Sequence, residues 1–251
     1  MNYKKIVLLL LVVAFALTGC GDDTTYEEIQ ESGELVVGMS ADYRPFEYVD
    51  EDNEIVGFDV DLINAVAERL DLEVVIEDTS FDGIIPGLQA NEYDVIVSAM
   101  TITEDRKEAV DFSDPYFNAG QVIAVLEGND TIAGPEDLKG KNVGVQLGTT
   151  GDITASEMDD VELTRYDGIP EAFEDLQNER IDAIVNDFPV TAEYVAERGG
   201  VEIIGEPFTE EHYGIAMRQG DDELLESINE ALAEIKEDGT YDEIMEKWFE
   251  Q

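Results

Sequence analysis

Short apolar runs alternate with amphipathic stretches along the first half of this chain. The runs at 35–39, 73–76 and 95–98 predict strands, and the stretches at 58–70 and 81–91 predict helices between them. Strands that alternate with helices in this way predict a mainly parallel sheet with helices on its faces. The expected fold class is therefore α/β.

A second series of the same kind begins near residue 121. It contains five further predicted strands and three further predicted helices, so two small α/β lobes are expected in a chain of 251 residues. The strands are expected at 122–126, 142–145, 162–166, 183–185 and 201–204, and the helices at 151–158, 170–178 and 191–198.

The N-terminus has the pattern of an export signal. Lys4 and Lys5 precede an apolar run over 6–16 that is shorter than the roughly 20 residues of a membrane-spanning helix. The sequence Leu-Thr-Gly-Cys at 17–20 resembles the lipobox of bacterial lipoproteins, and Cys20 is the only cysteine. We therefore expect a signal peptide over 1–19, an acylated Cys20, a tether over 20–25 and a lipid-anchored protein outside the cytoplasm.

The composition is strongly acidic, with 61 Asp and Glu against 14 Lys and Arg and a formal net charge of −47. Loss of Lys4 and Lys5 with the leader would take this charge to −49. So negative a chain repels phosphate backbones, which excludes nucleic acid as a partner. The excess of acid also predicts a saline source, because salt screens the repulsion between the charges.

The segment from Ser98 to Tyr116, SAMTITEDRKEAVDFSDPY, places a scarce arginine just past a predicted strand end. Thr103 has the character of a helix N-cap with acidic residues after it. Ligands of open α/β sheets bind beside the carboxyl ends of strands, where the Arg106 guanidinium could hold a carboxylate in a bidentate manner. The alternative is an Arg106 that pairs with acidic neighbours on a solvated helix.

Four segments together resemble the family 3 extracellular solute-binding proteins, the polar amino acid receptors of ATP-binding-cassette importers. They are the segment just described, GFDVDLINAVAERL at 57–70, SFDGIIPGLQ at 80–89 and GTYDEIMEKWF at 239–249. The resemblance implies a two-lobe periplasmic-binding-protein-like fold with a two-strand hinge. Its implied boundaries are 26–115 and 214–251 for lobe 1, 121–208 for lobe 2, and 116–120 and 209–213 for the hinge.

The resemblance also implies a binding site for a free amino acid. Arg106 corresponds to the family's carboxylate clamp and Asp187 to its ammonium acceptor, while Tyr43 and Phe81 correspond to the aromatic residues around the ligand side chain. From the residues alone, Asp187 would be a loop or N-cap residue and Phe81 a core residue. The other expected contacts are Ser40, Ser98, Ala99, Thr101, Gln146, Thr149, Thr150 and Asn186.

The identity of the ligand follows less directly. Ser40 and Asn186 offer neutral groups at positions where some family members carry charged or basic residues. Glutamine is therefore favoured, and it is expected to bind at least about tenfold tighter than glutamate. A basic amino acid, meaning arginine, lysine or histidine, is the alternative.

The remaining expectations concern chemistry and partners. A dehydratase resembling cyclohexadienyl dehydratase is a more remote alternative, because no catalytic set can be assembled around His212, the one histidine. No metal and no cofactor is expected, since 143–151 lacks the glycine patterns of nucleotide-binding loops. The expected partners are the amino acid, the importer's membrane permease and the membrane itself through Cys20, and the protein is expected to be a monomer.

Overall fold

A computed structural model describes residues 25–249 of the protein. The predicted signal peptide, Cys20 and all of the predicted tether except Thr25 lie outside the described residues. Thr25 is the N-cap of the first helix, where its hydroxyl accepts a hydrogen bond from the amide of Glu28. In the part of the chain that the structure describes, no helix combines the length and the apolar character needed to cross a membrane.

The elements before the first connection between the lobes are, in chain order, α1 (Tyr26–Ser32), β1 (Glu34–Met39), β2 (Asp42–Tyr43), β3 (Glu47–Val49), β4 (Ile55–Val56), α2 (Phe58–Arg69), β5 (Glu73–Asp78), α3 (Ile84–Gln89), β6 (Val95–Ile96), α4 (Glu104–Lys107) and β7 (Val110–Phe112). After them come β8 (Phe117–Ala119), β9 (Gln121–Leu126), β10 (Asn142–Gln146), α5 (Thr150–Ser156), β11 (Glu162–Tyr166), α6 (Ile169–Gln177), β12 (Ala183–Asp187), α7 (Phe188–Arg198), β13 (Val201–Ile204), β14 (Glu211–Tyr213), β15 (Ala216–Arg218), α8 (Asp222–Glu237) and α9 (Thr240–Phe249).

Each lobe is built on a five-stranded sheet of the same topology. The strand orders are β5-β1-β6-β15-β7 in lobe 1 and β11-β10-β12-β9-β13 in lobe 2. In each sheet the fourth strand, β15 or β9, is antiparallel to both neighbours, so the other four strands share one direction. The predictions of a mainly parallel sheet and of two α/β lobes are confirmed.

The inverted strand of each sheet follows directly on a strand that connects the lobes. β8 leads into β9 and β14 leads into β15, and β8 pairs antiparallel with β14 in a separate two-stranded sheet. The segment 211–218 therefore contributes strands to two different sheets. The chain leaves one sheet at Tyr213 and joins another at Ala216, because Tyr213 pairs with Phe117 whereas Ala216 pairs with Ile96 and Phe112.

An aromatic cluster fixes the connecting strands against lobe 1. The Phe46 ring lies with its centroid 4.9 Å from that of Phe117, 5.2 Å from that of Tyr213 and 5.5 Å from that of Phe249. The Phe58 ring, at the start of α2, lies 5.4 Å from the Phe249 ring. Buried aromatic rings contribute much of the apolar area of a core, so this cluster holds both connections beside the start of α2.

One predicted helix is shorter than expected. The stretch 81–91 forms a 3₁₀ turn over Phe81–Gly83 followed by α3, which ends at Gln89. The side chain of Tyr93 packs closely against the end of α3. It occupies the space where a Cβ on Gly87 would lie. The turn keeps Phe81 partly exposed at the start of the segment, on the side that faces lobe 2.

We expect Gly57→Ala to lower the free energy of unfolding by about 3 kcal/mol or more. Gly57 has a φ of +148°, and a Cβ there would overlap the carbonyl group of Phe46, which accepts the amide of Asp59 at 2.9 Å. Gly33→Ala is the matched control, because Gly33 also has a positive φ but nothing within 4 Å of the added Cβ. Urea denaturation should give a loss of about 1 kcal/mol for the control, and equal losses for the two variants would contradict the packing argument.

Candidate functional site: the cleft between the lobes

A pocket with an empty volume of ≈ 280 Å³ lies between the two lobes. Ten of the twelve residues predicted to contact a ligand line it, together with Glu47, which the sequence did not indicate. Lobe 1 contributes Ser40, Tyr43, Glu47, Phe81, Ala99, Thr101 and Arg106, and lobe 2 contributes Gln146, Thr149, Thr150 and Asp187.

The turn between β6 and α4 positions the lobe 1 contacts. Ala99 has a φ of +44°, a left-handed conformation that is unfavourable for a residue with a Cβ. Thr103 then caps α4, as predicted, because its hydroxyl accepts the amide of Arg106 at 3.1 Å. The strained turn and the cap together direct Thr101 and Arg106 into the cleft.

Arg106 is buried, with an exposed fraction of 8%. Its Nη1 donates to the carbonyl oxygen of Thr101 at 2.7 Å, and its Nη2 donates to that of Gly148 in lobe 2 at 3.2 Å. The guanidinium carbon lies 5.3 Å from the centre of the Phe81 ring. Arg106 thus contacts backbone carbonyls and a ring face. The alternative, in which Arg106 lies on a solvated helix, predicted ion pairs with acidic neighbours instead. Burial lowers the pKa of Arg106 from its usual value, and the charges of Asp187 and Glu211 oppose that effect.

Asp187 ends β12 and faces Arg106 from the other lobe. Its side chain makes no hydrogen bond that caps α7, and its exposed fraction is 4%. The hydroxyl of Tyr213 and the Nε2 of Gln121 both donate to its carboxylate. Burial and then the charge of Glu211 raise the pKa of Asp187 to about 7. A cationic group beside it would favour the ionised carboxylate.

Glu211, on the connecting strand β14, joins the hydroxyls of the two lobes. Its Oε2 accepts from Thr101 of lobe 1 and from Thr150 of lobe 2, both at 2.7 Å. Its Oε1 accepts from Gln121 at 3.1 Å and from Thr209 at 3.0 Å. Glu211, on a connection between the lobes, therefore holds one pocket residue of each lobe. The sequence analysis identified neither Glu211 nor Gln121.

Glu47 lies in the pocket wall with an exposed fraction of 0%, and Asp59 at the start of α2 is equally buried behind it. Consecutive residues hold the two carboxyl groups, because the Ser98 hydroxyl donates to Glu47 and the Ala99 amide donates to Asp59, each at 2.7 Å. Burial and then the charge of Asp59 raise the pKa of Glu47 well above its usual range. Burial likewise raises the pKa of Asp59 to about 6, while donors such as the Ala99 amide act in the opposite direction.

Two predicted contacts lie behind the pocket wall rather than in it. Ser98 donates its hydroxyl to Glu47 at 2.7 Å and accepts the amide of Ser40, so its hydrogen-bonding capacity is used inside lobe 1. Asn186 accepts the Tyr43 hydroxyl at 2.9 Å across the cleft. Both therefore position residues that line the pocket, Ser98 through Glu47 and Ser40 and Asn186 through Tyr43.

Further contacts between the lobes surround the pocket. Arg44 of lobe 1 pairs with Glu197 of lobe 2 at 2.8 Å, at a half-exposed site. Asp42 faces Gly168 of lobe 2, and burial followed by the charge of Glu171 raises the pKa of Asp42 to about 7. Two acidic residues, Asp42 and Glu171, thus lie close together at this edge of the cleft. The Arg44–Glu197 contact, in contrast, is an ion pair between the lobes.

The chain matches the bacterial extracellular solute-binding proteins of family 3 over residues 35–251. A probable histidine-binding protein of Neisseria gonorrhoeae is 37% identical over 260 aligned positions, which cover 99% of this chain and 97% of that protein.

Solved structures of high similarity agree with the fold. A mutant of ArgBP from T. maritima is 49% identical with a TM-score of 0.87, and the match covers 90% of this chain and 99% of that one. An ancestral arginine-binding protein, solved with arginine and also with glutamine, is 51% identical with a TM-score of 0.84. These two matches cover 86% and 87% of this chain and 98% and 99% of the solved chains. The predicted two-lobe fold of the solute-binding proteins is confirmed.

We expect Asp187→Asn to raise the melting temperature at pH 8, where the wild-type carboxyl is forced to ionise while buried. A pKa of about 7 in the folded state lies above the unfolded value, so this carboxyl stabilises the fold fully below about pH 4 and progressively less as the pH rises through 7. The difference between the folded and unfolded pKa values corresponds to at most about 4 kcal/mol.

Melting curves between pH 4 and pH 8 measure this effect. The advantage of Asp187→Asn should shrink steadily as the pH falls, and the exposed Asp159→Asn should follow the wild-type curve. A variant that is less stable than wild type at pH 8 would show that Asp187 is stabilised as a carboxylate by its donors.

Proposed function

Because the chain belongs to family 3 of the bacterial extracellular solute-binding proteins, we propose that it captures a free amino acid between its lobes and delivers it to the permease of an ATP-binding-cassette importer. The pocket has a buried cation, Arg106, on its lobe 1 wall and a buried carboxyl group, Asp187, on its lobe 2 wall. The main chain of a free amino acid carries the two complementary charges. Arg106 and Asp187 therefore complement the main chain of any free amino acid, whatever its side chain.

Arg106 is the proposed partner of the α-carboxylate. Its two terminal nitrogens already lie beside the pocket and are held by carbonyls of both lobes, so little rotamer entropy is lost on binding. Asp187 is the proposed acceptor of the ammonium, held in place by Tyr213 and Gln121. Thr149 and Thr150, at the start of α5, add hydroxyl and amide groups on the lobe 2 side.

Glu47 is the observation that decides between ligand side chains. The sequence indicated a neutral pocket around Ser40 and Asn186, but Glu47 lines the pocket and Asn186 does not. A buried carboxyl group in the wall favours a ligand that brings a cation, because a charge pair offsets the cost of burying the carboxylate. We therefore propose a basic amino acid, and arginine in particular, as the ligand. The names of the relatives described above support this choice.

Glutamine is the second candidate. A protonated Glu47 can donate a hydrogen bond to an amide oxygen, and the ancestral arginine-binding protein has been solved with glutamine. Glutamate is the least suitable of the three, because a second ligand carboxylate would lie among Glu47, Asp187 and Glu211 with Arg106 already engaged. The expected preference for glutamine over glutamate stays a prediction.

A binding role fits the pocket better than catalysis does. His212 is exposed on β14 and its Nδ1 lies 2.7 Å from the Asn118 side-chain oxygen, outside the pocket. The acidic residues of the pocket are engaged by hydroxyl and amide donors rather than paired with a nucleophile. Titration followed by chemical analysis of the recovered ligand distinguishes a binding protein, which returns the ligand unchanged, from a dehydratase.

The proposed location is outside the cytoplasm, in keeping with the family, with Cys20 as the lipid-anchored residue.

Closure would bend the two connections at 116–120 and 209–213, where β8 and β14 pair. A monomer is sufficient for this role, because both walls of the pocket come from one chain. Globomycin treatment of expressing cells, which blocks lipoprotein signal cleavage, would test the assignment of Cys20.

We expect Arg106→Met to reduce the affinity for the amino acid by about 3 kcal/mol or more, because the ligand carboxylate would be desolvated without a charged partner. Arg106→Lys should recover little, since an ammonium lacks the planar fork. Isothermal titration measures the loss. Arg180→Met, which alters an exposed arginine paired with Asp175, is the control. Affinity near that of wild type in Arg106→Met would exclude Arg106 from the site.

We expect Glu47→Gln to weaken arginine binding by at least about tenfold while glutamine affinity changes by less than about threefold. The reason is that the variant removes a carboxylate that only the cationic ligand uses. Competition titrations with arginine, lysine, histidine, glutamine and glutamate measure the order of affinity. Equal losses for arginine and glutamine would show that Glu47 supports the pocket without selecting its ligand.

A further inference from the structure

The buried pair formed by Glu47 and Asp59 has an incomplete set of donors. Glu47 Oε1 accepts the Ser98 hydroxyl at 2.7 Å. Asp59 Oδ2 accepts both the Ala99 amide and the Tyr116 hydroxyl, each at 2.7 Å. The two remaining oxygens, Glu47 Oε2 and Asp59 Oδ1, receive no donor from the rest of the described chain. Two ionised carboxylates would leave both of these buried oxygens unsatisfied, whereas one proton held between them would satisfy both.

Among the described residues, no lysine or arginine is a main electrostatic neighbour of either carboxyl group. Asp42 on β2 adds a further negative charge towards Glu47, and Tyr43 and Tyr116 are the other titratable groups close to it. Arg106 lines the same pocket but donates to backbone carbonyls. Two adjacent carboxylates in such surroundings cannot both be ionised at neutral pH.

We propose that Asp59 is a positioning residue that keeps Glu47 protonated by sharing one proton with it, and that a cationic ligand side chain expels this proton. The proposal rests on the function proposed above. The proton leaves Glu47 Oε2 and passes to water while the cleft is open, and the ligand cation takes its place beside the resulting carboxylate. Binding of arginine therefore releases a proton that binding of an uncharged ligand does not.

Asp59 has a second effect on the pocket through the same carboxylate. Its bond to the Ala99 amide holds the turn with a φ of +44° that precedes Thr101. Asp59→Asn can keep this bond and the bond from Tyr116 through its amide oxygen, while its Nδ2 donates to Glu47. The variant thus preserves the positions of the atoms and makes Glu47 an ionised acceptor. This separates the shared proton from the structural role.

Calorimetry with arginine and with citrulline, its uncharged analogue, tests the proposal. Titrations at pH 7 in two buffers of different ionisation enthalpy give the number of protons released. Because both ligands carry the same main-chain groups, any release from Asp187 cancels in the difference. From the wild-type protein we expect arginine to release about one proton more than citrulline does. From Asp59→Asn we expect the two ligands to release equal numbers of protons, because Glu47 is already ionised there. Asp61→Asn, on the same helix but outside the pocket, should behave as wild type.

Infrared spectroscopy of the protein alone gives a second readout that needs no ligand. At pH 7, the wild-type spectrum minus the Asp59→Asn spectrum should contain the C=O band of a protonated carboxylic acid. The wild-type spectrum minus the Glu47→Gln spectrum should contain the same band. Failure of arginine to bind would contradict the proposed ligand, whereas absence of this band would overturn the shared proton even where arginine binds. Equal proton release by arginine and citrulline from wild type would also overturn it.

Discussion

The arrangement of the cleft depends on the burial of more carboxyl groups than cations. Among the described residues, Arg106 is the one cation of the pocket wall, while Glu47 and Asp187 line the same pocket and Glu211 lies directly beside it. Charges removed from water in this way are tolerated only where donors or a proton compensate them. Each of these acids accepts hydrogen bonds from hydroxyl or amide donors, and a ligand that brings positive charge relieves the excess. The polar network and the choice of ligand thus have the same physical origin.

The same network couples the pocket to the connections between the lobes. Glu211 lies on a connecting strand and holds a threonine of each lobe, and Tyr213, two residues further on, donates to Asp187. Tyr116, at the start of the other connection, donates to Asp59 behind the pocket. Separation of the lobes must therefore break hydrogen bonds to buried acids. A ligand that supplies charge to these acids acts on the equilibrium between open and closed forms through those bonds.

Local patterns predicted the sheets and one half of the site, but not the other half. Arg106 stands beside a strand end and a threonine N-cap, which are signals contained in a few consecutive residues. Asp187 could be identified only through resemblance to the family. Glu47 belongs to a short hairpin, and its side chain is buried where it accepts the hydroxyl of Ser98, 51 positions away. No local signal reports such a contact, so the pocket was expected to be neutral.

The most direct test of this account is a crystal structure of the protein with arginine bound. The account predicts the α-carboxylate on the Arg106 guanidinium, the ammonium on Asp187 and the ligand guanidinium on the Glu47 carboxylate, with Asp59 still bonded to the Ala99 amide. An arginine bound in the reverse direction would contradict it. So would a ligand guanidinium that points away from Glu47 into solvent, because the buried acids would then remain without the cation that the account requires.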